Sequence, residues 1–286
     1  MGRAASILPG MPLITPDALA ARLGDPRLRV LDVRWWLTDR PRGHRDYLAG
    51  HLPGAAWVDL DTDLAAPTGP GRHPLPDPAV FAAHMTELGV GDDTDVVVYD
   101  DASGMIAARV WWMLEDLGHR SVHVLDGGFA AWTAADLPVT AALLTPTPGH
   151  LHLADHWTRV IDRDGLVARL GSVALVDARA RERYRGDIEP VDAYPGHIPT
   201  AVNLPLAGNL GPDGRFLGAA TLRARFAPLG DDVVTSCGSG INACHNALAM
   251  RIAGLPDPLL YEGSYSDWTR AGMPVSTGDD AGSMPD

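Results

Sequence analysis

The second half of this 286-residue chain repeats the first. Val30-Leu31-Asp32-Val33-Arg34 returns as Leu175-Val176-Asp177-Ala178-Arg179, and Gly50-His51-Leu52-Pro53-Gly54-Ala55 as Gly196-His197-Ile198-Pro199-Thr200-Ala201. Further on, Val97-Val98-Tyr99 parallels Val233-Val234-Thr235, and Asp126-Gly127-Gly128 through Trp132 parallels Glu262-Gly263-Ser264 through Trp268. Four matches in one order, about 136 to 146 residues apart, imply two homologous domains, because that period is domain-sized and too long for a solenoid repeat. Within each copy, short apolar runs alternate with helical patterns. In the run from Thr15 to Leu23, for example, Thr15 can cap a helix and Pro16 suits its first position. Such alternation predicts an α/β fold in tandem, each domain a mainly parallel sheet flanked by helices. The Pro- and Thr-rich stretch at 140–156 reads as a linker, which places the domains at 12–139 and 157–276. Residues 277–283 read as a frayed tail.

Composition removes several function classes. A formal net charge of −13 without a cluster of basic residues argues against nucleic acid as a partner. All 23 basic residues are arginine, so Schiff-base chemistry, a pyridoxal-phosphate lysine and a P-loop lysine are excluded. Two cysteines cannot build a disulfide framework, and the N-terminus has no charged region leading into an apolar core, so a cytoplasmic location is expected. No stretch approaches ~18 consecutive apolar residues, and no membrane span is expected. The cysteines and histidines show no zinc spacing and the glycines no dinucleotide fingerprint, so neither metal nor cofactor is expected.

The chemistry concentrates at Thr235-Ser236-Cys237-Gly238-Ser239-Gly240-Ile241-Asn242-Ala243-Cys244-His245. An apolar run through Val233 and Val234 predicts a buried strand, the glycines a tight loop, and 243 to 253 a helix ending at Gly254. Cys237 therefore falls between a strand and a helix N-terminus, where converging backbone N–H groups and the helix dipole stabilise a thiolate or a bound anion. Cys244, seven residues on with apolar neighbours, reads as a core residue. In the duplication Cys237 aligns with Asp101, so the first copy lacks the thiol and only the second domain can run thiolate chemistry. Phosphatases of the Cys-x5-Arg type need an arginine six residues after the nucleophile, and that position is Ala243.

Taken together, the two Gly-His-x-Pro motifs, Arg109-Val110-Trp111-Trp112, Leu125-Asp126-Gly127-Gly128 and the cysteine loop resemble the two-domain rhodanese-like sulfurtransferases over about residues 12 to 276. Within that family Cys-Gly-Ser-Gly-x-x-Ala is similar to the 3-mercaptopyruvate sulfurtransferases, whereas thiosulfate-using rhodaneses carry cations directly after the cysteine. A physical reason supports the distinction. Thiosulfate is a compact dianion that calls for nearby positive charge, while mercaptopyruvate carries one carboxylate away from its sulfur and tolerates a neutral loop.

The resemblance implies a small anionic sulfur donor, a persulfide on Cys237, and a thiol acceptor such as thioredoxin or a small thiol, or cyanide. It implies that Ser239 forms a relay with His73 and Asp61, that Arg183 holds the donor carboxylate with Arg185 as a second contact, and that the loop residues Gly238, Gly240, Ile241, Asn242 and Ala243 surround the sulfur. Two departures stand out. Val191 follows Glu189-Pro190 where these enzymes carry another arginine, and Asn242 stands where threonine is usual. The alternatives are a thiosulfate sulfurtransferase and, from another class, a non-catalytic sulfur carrier or partner-binding rhodanese module. Asp32, Asp177, His51 and His197 occur at equivalent places in both copies and are expected to serve the fold, and the tryptophans at 35, 36, 111, 112, 132 and 268 to fill cores and interfaces.

Overall fold

The apolar runs become short parallel strands in a computed structural model that describes residues 11–284. The first unit holds β1 (Leu13–Ile14), β2 (Leu28–Asp32), β3 (Ala55–Trp57), β4 (Asp95–Tyr99) and β5 (Val122–Leu125), in the order β1-β5-β4-β2-β3. The second holds β6 (Val160–Ile161), β7 (Ala174–Asp177), β8 (Val202–Asn203), β9 (Val233–Ser236) and β10 (Leu259–Tyr261), in the equivalent order β6-β10-β9-β7-β8. Every pairing within these sheets is parallel. Parallel sheets are covered by helices on both faces, and the continuous burial of Val96-Val97-Val98-Tyr99 follows from that.

The repeated positions do the same work in each unit. Asp32 and Asp177 lie buried at strand ends and accept from Arg34 and Arg179 at 2.7 and 2.6 Å. His51 Nδ1 lies 2.7 Å from the Tyr47 carbonyl, and His197 Nδ1 lies 2.8 Å from that of Tyr184. Trp132 and Trp268 fill the two cores and donate to the carbonyls of Pro138 and Pro274. Thr15 caps the helix Pro16–Ala20, with Pro16 in its first turn.

The units are not two consecutive stretches of chain. Of the described residues, the first takes 11–65, Pro76–Thr158 and Pro212–Phe216; the second takes Ala66–Leu75, Arg159–Gly211 and 217–284. The stretch at 140–156 runs along the first unit, where Thr140 exchanges backbone hydrogen bonds with His51 and Gly149 N–H donates to Thr86. The C-terminal tail corrects the expectation of fraying. Ser276 exchanges backbone hydrogen bonds with His197, Gly278 N–H donates to Arg185, and Thr200 N–H donates to Ala281 at 2.7 Å. The tail repeats what 140–142 does in the first copy, and this second use of one pairing site escapes a reading based on composition. Among the described residues no helix is long and apolar enough to cross a membrane.

In both sheets the chain leaves the central strand pair in opposite directions, so the crevice at the C-terminal ends of those strands is where an open α/β sheet offers a binding site. The central pairs are β2 with β4 and β7 with β9.

Candidate active site

Cys237 follows the last residue of β9 and precedes the helix Ile241–Ile252. That helix begins two residues earlier than its apolar pattern indicates, because Gly240 adopts a left-handed conformation (φ +83) at the N-cap. A Cβ at Gly240 would sit 2.5 Å from the Glu262 carbonyl oxygen, so the turn requires glycine. The Cys237 sulfur is buried at the mouth of this turn and accepts from the N–H groups of Ser239 (3.4 Å) and Gly240 (3.1 Å). The residues leaving β10 fix the loop from the other side. Cys237 N–H donates to Ser264 Oγ at 3.0 Å, and the N–H groups of Tyr265 and Ser266 donate to the carbonyls of Cys237 and Gly238, each at 3.0 Å.

Ile241 and Ala243 are buried and Asn242 is partly so. The Cys244 thiol is fully buried and donates to the Gly240 carbonyl at 3.3 Å, so its sulfur braces the turn from within the helix.

The 66–75 segment, which belongs to the same unit as Cys237, brings two side chains to this loop. His73 Nδ1 lies 3.0 Å from Ser239 Oγ, and both residues are buried. The segment is held by Leu75 N–H to Glu262 (2.9 Å) and Arg72 N–H to Ser266 Oγ (3.1 Å), and by Arg270 donating to the Gly71 carbonyl. Asp61 belongs to the other unit, where it accepts from Trp35 Nε1 at 2.9 Å and pairs with Arg40 at 3.1 Å.

Arg183 reaches Gly238, the residue after the nucleophile. Its guanidinium is held by Glu189 (2.7 Å) and Asp192 (2.9 Å), both nearly fully buried. Burial alone would raise the Glu189 carboxyl, but hydrogen bonds from Arg183 and from the N–H groups of Asp192 and Val191 hold it below its ordinary range. Glu189 also meets Arg179 at 3.3 Å. Arg185 is not brought to the loop; its described partners are Asp187 and Asp279.

Arg72 went unnoticed in the sequence. Its Nη1 pairs with Asp192, and a Cβ at Gly238 would sit 2.8 Å from its Nη2. The loop carries no cation in its own sequence, yet two guanidinium groups lie over it, so a neutral motif does not make a neutral site. The signal was present in Arg72-His73, one residue from a histidine already of interest, but nothing local said where that segment would pack.

Strand register also corrects the alignment of the copies. Asp32 pairs with Tyr99 and Asp177 with Ser236, so the residue equivalent to Cys237 is Asp100, not Asp101. Phe129 N–H donates to the Asp100 carbonyl as Tyr265 N–H does to that of Cys237. The loops differ in length, seven residues (100–106) against four (237–240), which is why matching along the chain slipped by one.

Comparison with known proteins places these observations. The rhodanese-like domain profile matches residues 15–135 and again 162–271. A Pseudomonas aeruginosa protein named "Probable 3-mercaptopyruvate sulfurtransferase" is 47% identical over 279 residues, covering 93% of this chain and 98% of its own. The thiosulfate sulfurtransferase of Mus musculus is 37% identical over 268 residues, covering 89% of each. The crystal structure of a 3-mercaptopyruvate sulfurtransferase from Escherichia coli superposes with a TM-score of 0.79 at 31% identity, covering 90% of this chain and 99% of that one. With two matched domains, full-length relatives and a cysteine loop at the end of the fourth strand of its second sheet, this chain belongs to the rhodanese-like family.

Proposed function

We propose that this protein is a sulfurtransferase that takes sulfur from 3-mercaptopyruvate through a persulfide on Cys237. The hydrogen bond between His73 and Ser239 beside the nucleophile carries this reading. Attack of the Cys237 thiolate on the donor sulfur forms an S–S bond and breaks the C–S bond, whose electron pair goes to carbon as the enolate of pyruvate. That enolate needs a proton, and the proton on the donor's thiol is the one that must reach it. A serine hydroxyl joined to an imidazole relays such a proton. By the resemblance, Asp61 is the third member of this relay. Sulfite leaving from thiosulfate needs no proton, so a relay has no task there.

Backbone N–H groups from Ser239 and Gly240 stabilise negative sulfur, and Arg183 positions the carboxylate. A thiol acceptor then attacks the outer sulfur and releases Cys237, which gives ping-pong kinetics. The thiosulfate reading keeps one observation in its favour, the two guanidinium groups over Gly238. Comparing kcat/KM for the two donors tests the choice: mercaptopyruvate is expected to exceed thiosulfate at least tenfold, and equal or better thiosulfate turnover overturns it. Intact mass after donor treatment tests the reaction itself. The protein is expected to gain one sulfur atom, and no gain leaves a sulfur-independent binding module as the reading.

A further inference from the structure

We infer that Arg72 is the second cation of the donor site, filling the role left open at Val191; the inference rests on Cys237 as a nucleophile toward anionic donors. Arg72 and Arg183 share one buried carboxylate. Arg72 Nη1 binds Asp192 Oδ1, and Arg183 Nη2 binds Asp192 Oδ2 at 2.9 Å while its Nε and Nη2 bind Glu189. The remaining terminal nitrogens are Arg72 Nη2 and Arg183 Nη1. These are the atoms that approach Gly238 most closely, 2.8 and 3.5 Å from where a Cβ would stand.

Asp192 thus spaces two guanidinium forks and turns one unused edge of each toward the residue after Cys237. A guanidinium presents five donors in a rigid fork, so binding Asp192 with one edge leaves the other for a ligand. An anion buried next to the sulfur needs such charge-assisted donors. Glycine at 238 leaves the space beneath them open. The backbone of Arg72 is anchored through Ser266 Oγ and the neighbouring Gly71 carbonyl through Arg270, so the fork is positioned before a donor arrives, which lowers the ordering cost of binding. Arg72 is a specificity-determining residue for anionic donors and has no part in the proton relay.

Alkylation of Cys237 by iodoacetate and by iodoacetamide tests this directly, since the reagents react alike with a thiolate and differ in carrying an anion. The rates are read by peptide mass at Cys237. In Arg72→Gln the iodoacetate rate is expected to fall about tenfold while the iodoacetamide rate stays within about twofold, and Arg72→Lys is expected to recover part of the loss. Equal losses with both reagents, or no loss with either, overturn the assignment. Should Arg72→Gln fail to fold, Arg72→Met keeps the aliphatic stem and is read in the same way. Mercaptopyruvate KM in the same variant is expected to rise about tenfold with kcat little changed. If the alkylation ratio falls but the wild-type protein does not use mercaptopyruvate, the donor reading fails and Arg72 stands.

Discussion

The two central loops of this protein solve one problem with different atoms. Each follows the middle strand of a parallel sheet and enters a helix, and each therefore gathers backbone N–H groups that point at a single place. In the first unit the Asp100 carboxylate takes that place, accepting from Ala102 and Gly104 on one oxygen (2.9 Å each) and from Ile106 and Ala107 on the other (2.7 and 2.9 Å). In the second unit the Cys237 sulfur takes it, with two adjacent N–H donors. A carboxylate has two oxygens and spans a longer loop, which it closes with a built-in anion. A sulfur is one polarisable atom that fits a tighter turn. The difference between the copy without the thiol and the copy with it is thus less the loss of a cradle than a change in what fills it.

Removing the fillings breaks the comparison most sharply. Cys237→Ser is expected to lose more than about a thousandfold of sulfur transfer while remaining folded, measured as the absence of any sulfur gain by intact mass and of product release. Asp100→Ala should do the reverse. Four N–H groups around a 1% exposed position lose their acceptor, which is expected to cost about 3 kcal/mol of stability in chemical denaturation, with donor KM unchanged in the folded protein. If Asp100→Ala is neutral, the first loop does not depend on its internal anion and the parallel fails.

Ser239→Ala is expected to lower kcat for mercaptopyruvate by about tenfold to a hundredfold and thiosulfate turnover by less than about threefold. Comparable losses with both donors would show that the serine serves the turn rather than a proton.

The smallest effect concerns the carboxylates behind the arginines. Glu189 has its folded pKa lowered from an ordinary 4.5. Its contribution to stability is therefore complete above that value and is lost as pH falls through the lower folded one. Glu189→Gln is expected to be less stable than wild type at pH 7, with the gap narrowing in denaturation curves taken at pH values below 4.5 as the carboxyl is protonated.

The sequence made the duplication plain because strand ends and Gly-His-x-Pro corners are set by local geometry, which leaves the same residues wherever it recurs. Cys237 and its turn were legible for the same reason, since Gly238 and Gly240 mark a close approach and a positive φ. What escaped was set by packing over long separations. Arg72 lies 165 positions before Cys237, and no local pattern announces that its segment joins the second sheet. Asp100 was missed by one residue because loops of different length hide the register that paired strands reveal. His73 was drawn in by resemblance alone, and its hydrogen bond to Ser239 gives it a physical partner.

The exchange of short segments between the units bears on how such a chain can evolve. Each copy contributes a stretch to the other's compact unit: 66–75 goes one way and 212–216 the other. No single break in the gene yields two complete halves, because cutting after Thr158 leaves the first piece without 212–216 and the second without Arg72 and His73. Fission would therefore cost each product a segment of its compact unit, and the product that holds Cys237 would lose the residue hydrogen-bonded to Ser239.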